Sequence, residues 1–279
     1  MKSQVKNFLN PYLTSRQRNS VLIYTIHKAA STFLYKLTFD ITNLLSLNYY
    51  STDGKDERVK KVIGHDYNYV INKEIACFGP IRGSRELSFP ENLEEYSIIL
   101  HLRDPRDVLT SLFYSFSYSH VREEGKFNPT DEQREQWVKE GVDKFVTNTA
   151  PGIKERYEIY CNNLLNRENV VFIKYEDMVY EYDKWLKEFL SAFYYTNHKN
   201  LGTSNFLDYH NILFEIYKKF IFTKLYRKYK TQFKVSKERI YKHKRQITPG
   251  DHKRKLSPET IEFLNYEFKD ILNLLKYEV

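Results

Sequence analysis

The sequence predicts an α/β protein with a mostly parallel central sheet flanked by helices, and three observations carry that prediction. Apolar, β-rich runs at Val21–Ile26, Tyr96–Leu102 and Val170–Tyr175 are each followed directly by a helical pattern. The intervals between them are long enough for the crossover helices that parallel pairing requires. No low-complexity region interrupts the 279 residues, and 24 Tyr with 19 Phe supply the bulk of a packed core.

The first strand gives way at His27 to a small-residue turn that opens a helix at Ser31 or Thr32. Backbone N–H groups of Ala29, Ala30, Ser31 and Thr32 then face one concavity at the positive end of the helix dipole, which suits an anion. Lys28 adds a mobile charge, and the Ser31 and Thr32 hydroxyls add donors. The plainer reading makes Ser31 or Thr32 a helix cap and Lys28 a surface charge. The nucleoside-triphosphatase pattern GxxxxGK[ST] is not met, because the lysine precedes the small residues and no glycine is present. Phe33, Leu34, Leu37, Ile41, Leu44 and Leu45 recur at three-and-four spacing, so the helix is expected over residues 31–47. Residues 49–70, which carry His65 and Asp66, read as irregular, and 71–78 as a strand stopping at Gly79-Pro80.

The strand ending at Leu102 runs into Arg103-Asp104-Pro105-Arg106-Asp107, with Asp104 placed to cap and Pro105 suited to the first helical position. A helix over Val108–Tyr118 puts Ser111 one to two turns in, where it can share a ligand with the strand-end Arg103. Residues 121–133 read as a mobile charged loop. Helices are expected from Thr130, over Ile153–Asn166 and through Trp185 to Leu190. Residues 212–229 read as a helix that grows more basic, and Ser257-Pro258-Glu259 starts the last amphipathic helix. Ligands of parallel sheets bind at the strand C-terminal ends, here His27, Gly79, Arg103 and Tyr175.

A net charge of +8 and a pI near 9.1 favour an anionic partner. Between Lys218 and Lys255 the only acids are Glu238 and Asp251; a solvated face explains this stretch better than a nucleic-acid groove. Cys77 and Cys161 form neither a disulfide framework nor a zinc-ligand spacing. With no apolar leader and no apolar run of membrane length, a soluble, cytoplasmic protein is expected.

These stretches resemble the PAPS-dependent sulfotransferases, whose cofactor is 3′-phosphoadenosine 5′-phosphosulfate. Thr25–Phe33 is similar to their phosphosulfate loop Y-P-K-S-G-T-T-W. Arg103–Ser111 is similar, without a gap, to their 3′-phosphate motif R-[ND]-P-[KR]-D-x-x-x-S. Tyr175-Glu176-Asp177-Met178 resembles Y-E-D-[LM], and Arg245–Lys253 resembles R-K-G-x-x-G-D-W-K.

The resemblance runs from about Val21 to the C-terminus. It implies a single P-loop-like sulfotransferase domain over 1–279, with a 1–18 extension and a helical, basic, cofactor-covering segment at 205–255. It assigns Lys28 to catalysis and, with Ala29, Ala30, Ser31 and Thr32, to the phosphosulfate. Phe33 and Tyr175 go to the adenine, and Arg103, Ser111 and Arg245 to the 3′-phosphate. It implies sulfuryl transfer from PAPS, giving PAP, to a hydroxyl or amine of a small molecule, lipid or glycan, with no metal and no nucleic acid.

Three departures stand out. Ala29-Ala30 replaces Ser-Gly; Gln246, Ile247 and His252 replace Lys, Gly and Trp; and the family's K-T-H-L-P histidine has no counterpart near Ala76–Arg82. Candidate general bases are therefore His65, His27, Glu86 and His120, with His65 preferred for its neighbour Asp66. A PAPS- or PAP-binding protein without turnover and a basic nucleic-acid-binding protein are the alternatives.

Overall fold

Strands β1 (Val21–Thr25), β2 (Asn48–Ser51), β3 (Lys60–Lys61), β4 (Ala76–Ile81), β5 (Ser97–Leu102) and β6 (Val170–Lys174) pair in one sheet, in the order β3-β2-β4-β1-β5-β6. Every pairing is parallel. The computed structural model describes residues 19–45, 47–51, 60–61, 75–82, 89–120, 128–194, 224–233, 238–242 and 245–278.

The chain divides into two compact units, Met1–Leu102 with Leu164–Gln232 and Arg103–Asn163 with Phe233–Val279. The first contains the sheet. All five residues of β1 are buried, as a strand covered on both faces requires. Side chains tie the strand ends together. Ser20 Oγ accepts from Ala76 N (3.2 Å), Asn169 Nδ2 donates to the carbonyls of Leu93 (2.7 Å) and Tyr96 (2.8 Å), and Thr25 Oγ1 donates to His101 O (2.8 Å). The strand order turns at β1. From there the chain passes through α1 (Ser31–Leu45) to the β2 and β4 side, then crosses to β5 on the other. Such a reversal leaves a crevice at the strand C-terminal ends, where the loop after β1 begins.

The expected end of a strand at Gly79-Pro80 is corrected: β4 starts at Ala76 and continues through both residues to Ile81. Between Leu22↔Phe78 and Tyr24↔Ile81 the strand holds one extra residue, a bulge that absorbs the ladder donor Pro80 lacks. Gly79 is required there, because at its φ of 136° a Cβ would lie 2.6 Å from Ile23 O. The irregular reading of 49–70 is also corrected. Strands β2 and β3 fall in or beside it, fixed by tertiary contacts: Tyr49 Oη donates to Gly79 O (2.7 Å), and Tyr50 stacks on Phe78 (5.0 Å). Tyr175 opens α4 (Tyr175–Tyr180) rather than closing a strand, and α5 (Tyr182–Ser191) follows.

Only Lys224–Lys230 of the expected basic helix lies within the described residues, as α6. Arg227, Lys228 and Lys230 are exposed, as a solvated face requires, and the helix is tied down at two carboxylates. Tyr229 and Lys228 donate to Asp40 (2.6 and 2.9 Å), and Tyr226 and Lys230 donate to Asp183 (2.5 and 2.8 Å).

The second unit is helical: α2 (Pro105–Tyr114) with a π-turn at Ser115–Ser119, α3 (Asp131–Leu164), α7 (His252–Lys255), α8 (Pro258–Glu267) and α9 (Lys269–Leu274). The two helices expected between 130 and 166 form one run, interrupted at Gly141 (φ 85°, ψ 170°), with Pro151 inside it. Arg106 joins the start of this unit to its end. Its guanidinium forks onto Asp104 (3.0 and 2.7 Å) and also donates to Asn265 Oδ1 (2.5 Å) and Glu278 O (2.8 Å).

Candidate active site

In the first unit, β1 and β5 are neighbours with Thr25 opposite His101. The turn that leaves β1 is closed by Ala29 N donating to Ile26 O (3.3 Å). Lys28 (φ 68°) and Ala30 (φ 59°) both adopt left-handed backbone, which alternates the peptide planes and turns successive N–H groups toward one side. Phe33 N and Leu34 N both donate back to Ala30 O (2.8 and 3.0 Å) as the helix begins. Among the described residues the N–H groups of Ala30, Ser31 and Thr32 have no acceptor. Three donors at the start of a fifteen-residue helix, with Lys28 half-buried beside them, make an arrangement whose charge and donors suit an anion.

Ala30 stands where the resemblance has glycine, and its left-handed backbone shows why glycine is favoured there. Ala29 and Ser31 are buried, while Thr32 is exposed. Phe33 is buried edge-on to Tyr229 (5.3 Å) and tilted on Trp185 (6.1 Å), so its described ring neighbours are protein aromatics. Tyr175 is buried directly after β6.

His101 lies in the same unit, fully buried beside the edge of the Trp185 ring (5.7 Å). Burial pushes its pKa down to about 3, and the Ala29 backbone opposes that shift only in part. Neither ring nitrogen completes a hydrogen bond of ordinary geometry among the described residues. The imidazole is therefore neutral across the working range.

In the second unit, the capping reading of Asp104 holds: it accepts from Arg106 N at 2.9 Å, and Pro105 is the first helical residue. Arg103 is buried, its carbonyl accepts from Tyr157 Oη, and its Nη2 lies 3.3 Å from Asp107 Oδ2. Asp107, fully buried, also accepts from Gly250 N (2.8 Å), His252 N (3.0 Å) and His252 Nδ1 (2.7 Å). Burial alone would raise the Asp107 pKa, but the charge of Arg103 and the bonds from His252 outweigh it and hold the carboxyl well below its usual range. Ser111 is half-buried on α2. Arg245 is buried over the Tyr114 ring (4.1 Å to its centre), with its guanidinium on Glu238 and Asp251.

The structure thus gathers Lys28 to Phe33 into one turn, and it fastens the 245–252 loop to the start of α2, beside Arg103. His65 and Glu86 lie outside the described residues. His27 is half-buried in the β1 turn, and His120 packs edge-on to Phe116 (5.4 Å). Sequence reasoning gave no role to Asp107, His252 or Tyr157. The first two sit inside quoted motifs, a usable signal, but nothing in the sequence relates Tyr157 to Arg103.

The sulfotransferase domain profile matches residues 18–276. The chain belongs to the sulfotransferase family. Its reaction is accordingly sulfuryl transfer. Among solved structures it is similar in fold to mouse sulfotransferase SULT7A1 complexed with PAP, at 13% identity and a TM-score of 0.51, covering 98% of this chain and 90% of that one. Retinol dehydratase with retinol and PAP aligns at 13% identity and a TM-score of 0.43, over 97% of this chain and 85% of that one. The same enzyme with androsterone and PAP aligns at 14% and 0.42, over 91% and 80%. No curated protein sequence matches the chain. Among the described residues, no helix is long and apolar enough to cross a membrane, and no cluster of three or more His, Cys, Asp or Glu is arranged to hold a metal ion.

Proposed function

We propose that this sulfotransferase takes its sulfuryl group from PAPS, binding the phosphosulfate at the β1–α1 turn and the 3′-phosphate through Arg103, Ser111 and Arg245. The observation that carries the reading is the turn itself: left-handed backbone at Lys28 and Ala30 and three N–H donors without an acceptor at a helix start. PAPS when bound supplies an electrophilic sulfur whose departing phosphate gathers negative charge. Lys28 and the N–H groups of Ala30, Ser31 and Thr32 offset that charge as it develops, which lowers the barrier without a metal. Ala29 is buried within this turn. Arg103 and Ser111 leave one strand end and the helix after it, and each charge-assisted bond to a phosphate contributes roughly 1.5–3 kcal/mol.

Phe33 and Tyr175 are the aromatic residues assigned to the adenine. Arg245 reaches a phosphate by exchanging part of its pairing with Glu238 and Asp251. The acceptor is a hydroxyl or amine of a small molecule, lipid or glycan, and its proton passes to His65, the preferred base. The two thiols, free and buried, fit a reducing, cytoplasmic setting.

Calorimetry with PAP and transfer of radiolabelled sulfate from PAPS to a panel of phenols, sterols and glycans test the reading. Wild-type protein binds PAP and yields labelled product. Lys28→Ala and Arg103→Ala each reduce transfer at least about tenfold, the equivalent of one charge-assisted bond. Failure of folded wild-type protein to bind PAP overturns the proposal. Binding without product across the panel favours the non-catalytic alternative, which the absence of a histidine from β4 makes specific.

A further inference from the structure

Asp107 has no role in the reading above, yet it is fully buried and accepts four hydrogen bonds. Its two oxygens receive Arg103 Nη2, Gly250 N, His252 N and His252 Nδ1, which saturates the four acceptor positions of a carboxylate. Because an ionised carboxylate only accepts, the shared atom with Nδ1 is a proton carried by the imidazole. Both donors of the loop straddle Asp251, the residue that pairs with Arg245. One buried anion therefore fixes the direction of the Arg103 guanidinium and, through residues 250–252, the path of the loop that carries Arg245. Nothing else described joins the start of α2 to that loop as densely, and the partner supplied by His252 belongs to this chain rather than to the tryptophan-bearing motif it resembles.

We infer that Asp107 is a positioning residue that aligns Arg103 and Arg245 as a pair for a 3′-phosphate, with His252 as the second half of the clasp. The inference rests on the proposed nucleotide reading and extends it. It makes discrimination between a 3′,5′-bisphosphorylated and a 5′-monophosphorylated adenosine depend on a residue that touches neither phosphate. A carboxylate that served stability alone affects both nucleotides alike.

The test is calorimetry of the full chain with PAP and with adenosine 5′-monophosphate, applied to wild type, Asp107→Asn, His252→Ala and His252→Asn. Asp107→Asn weakens PAP by about 10–100-fold and the monophosphate by less than about threefold, as loss of a shared alignment of two charge-assisted contacts requires. His252→Ala weakens PAP by roughly fivefold, and His252→Asn, whose amide can replace the Nδ1 donor, recovers most of that loss. If Asp107→Asn does not fold, the two His252 variants decide. Equal losses for both nucleotides, or an unchanged ratio in folded variants, overturn the inference while leaving PAPS use intact. If the wild type itself binds PAP no better than the monophosphate, the nucleotide reading falls first.

Discussion

His101 offers a measurable consequence of burying a titratable ring beside the β1–α1 turn. Its side chain is fully buried and its pKa lies at about 3, against roughly 6.5 in an unfolded chain. The unfolded chain therefore takes up the proton first as the solution is acidified. The stability held by the neutral ring is complete above about pH 6.5 and is lost as pH falls toward 3, at up to about 1.4 kcal/mol per pH unit. Between about pH 7 and pH 4.5 that loss amounts to roughly 2–3 kcal/mol from this residue alone. Replacing the ring with leucine, close in volume and without a titrating group, removes this contribution, and no well-formed hydrogen bond is lost with it. Urea titrations of wild type and His101→Leu at those two pH values give the comparison, since every other carboxylate and histidine is common to both. The drop in stability on acidification is expected to be smaller in the variant by that 2–3 kcal/mol. Parallel drops would show that the ring is hydrated or protonated in the folded state, and the burial argument would be refuted.

Three further predictions address the backbone and the ion pairs. Ala30→Gly relieves left-handed backbone costing about 1–2 kcal/mol and adds about 0.4–1 kcal/mol of unfolded-state entropy, so melting temperature holds or rises slightly and PAP affinity is retained. A clear loss of stability would mean that the turn is not left-handed at this position. Gly79→Ala drives a Cβ into Ile23 O at a φ no L-residue favours, and it is expected to cost about 3 kcal/mol or more in denaturant titration. Arg106→Lys keeps the charge but cannot satisfy Asp104, Asn265 and Glu278 together, so a destabilisation of roughly 2–4 kcal/mol is expected, read as a lower unfolding midpoint at unchanged m.

The legible parts of this protein were those whose signal is local. The run Val21–Thr25 is apolar without alternation because both of its faces are covered, and that is written in consecutive residues. The Asp104 cap with Pro105 behind it is likewise a matter of neighbours, and the structure forms it at the expected residues. The Lys28–Phe33 turn could be placed between strand and helix, where the structure has it. Its left-handed geometry could not be read, because alanine at 30 hides the requirement that glycine would have announced.

Where expectation failed, a distant partner had overridden a local preference. Gly79-Pro80 reads as a strand terminator, yet β4 runs through it because Ile23 lies against the glycine and the bulge takes up the proline. Residues 48–51 lack a strong strand pattern and become β2 through Tyr49 and Tyr50 meeting Gly79 and Phe78.

The sequence alone marked β1, β5 and β6, the helices that begin after β1 and β5, and the Asp104–Pro105 start of α2, since each needs only residues within a few positions of one another. Tertiary structure alone decided that Asp107 binds Gly250 and His252, that Arg106 reaches Asn265 and Glu278, and that His101 is buried neutral. Those outcomes depend on which distant groups exclude water together, and burial, unlike periodicity, is a property of the folded chain and not of any stretch of it.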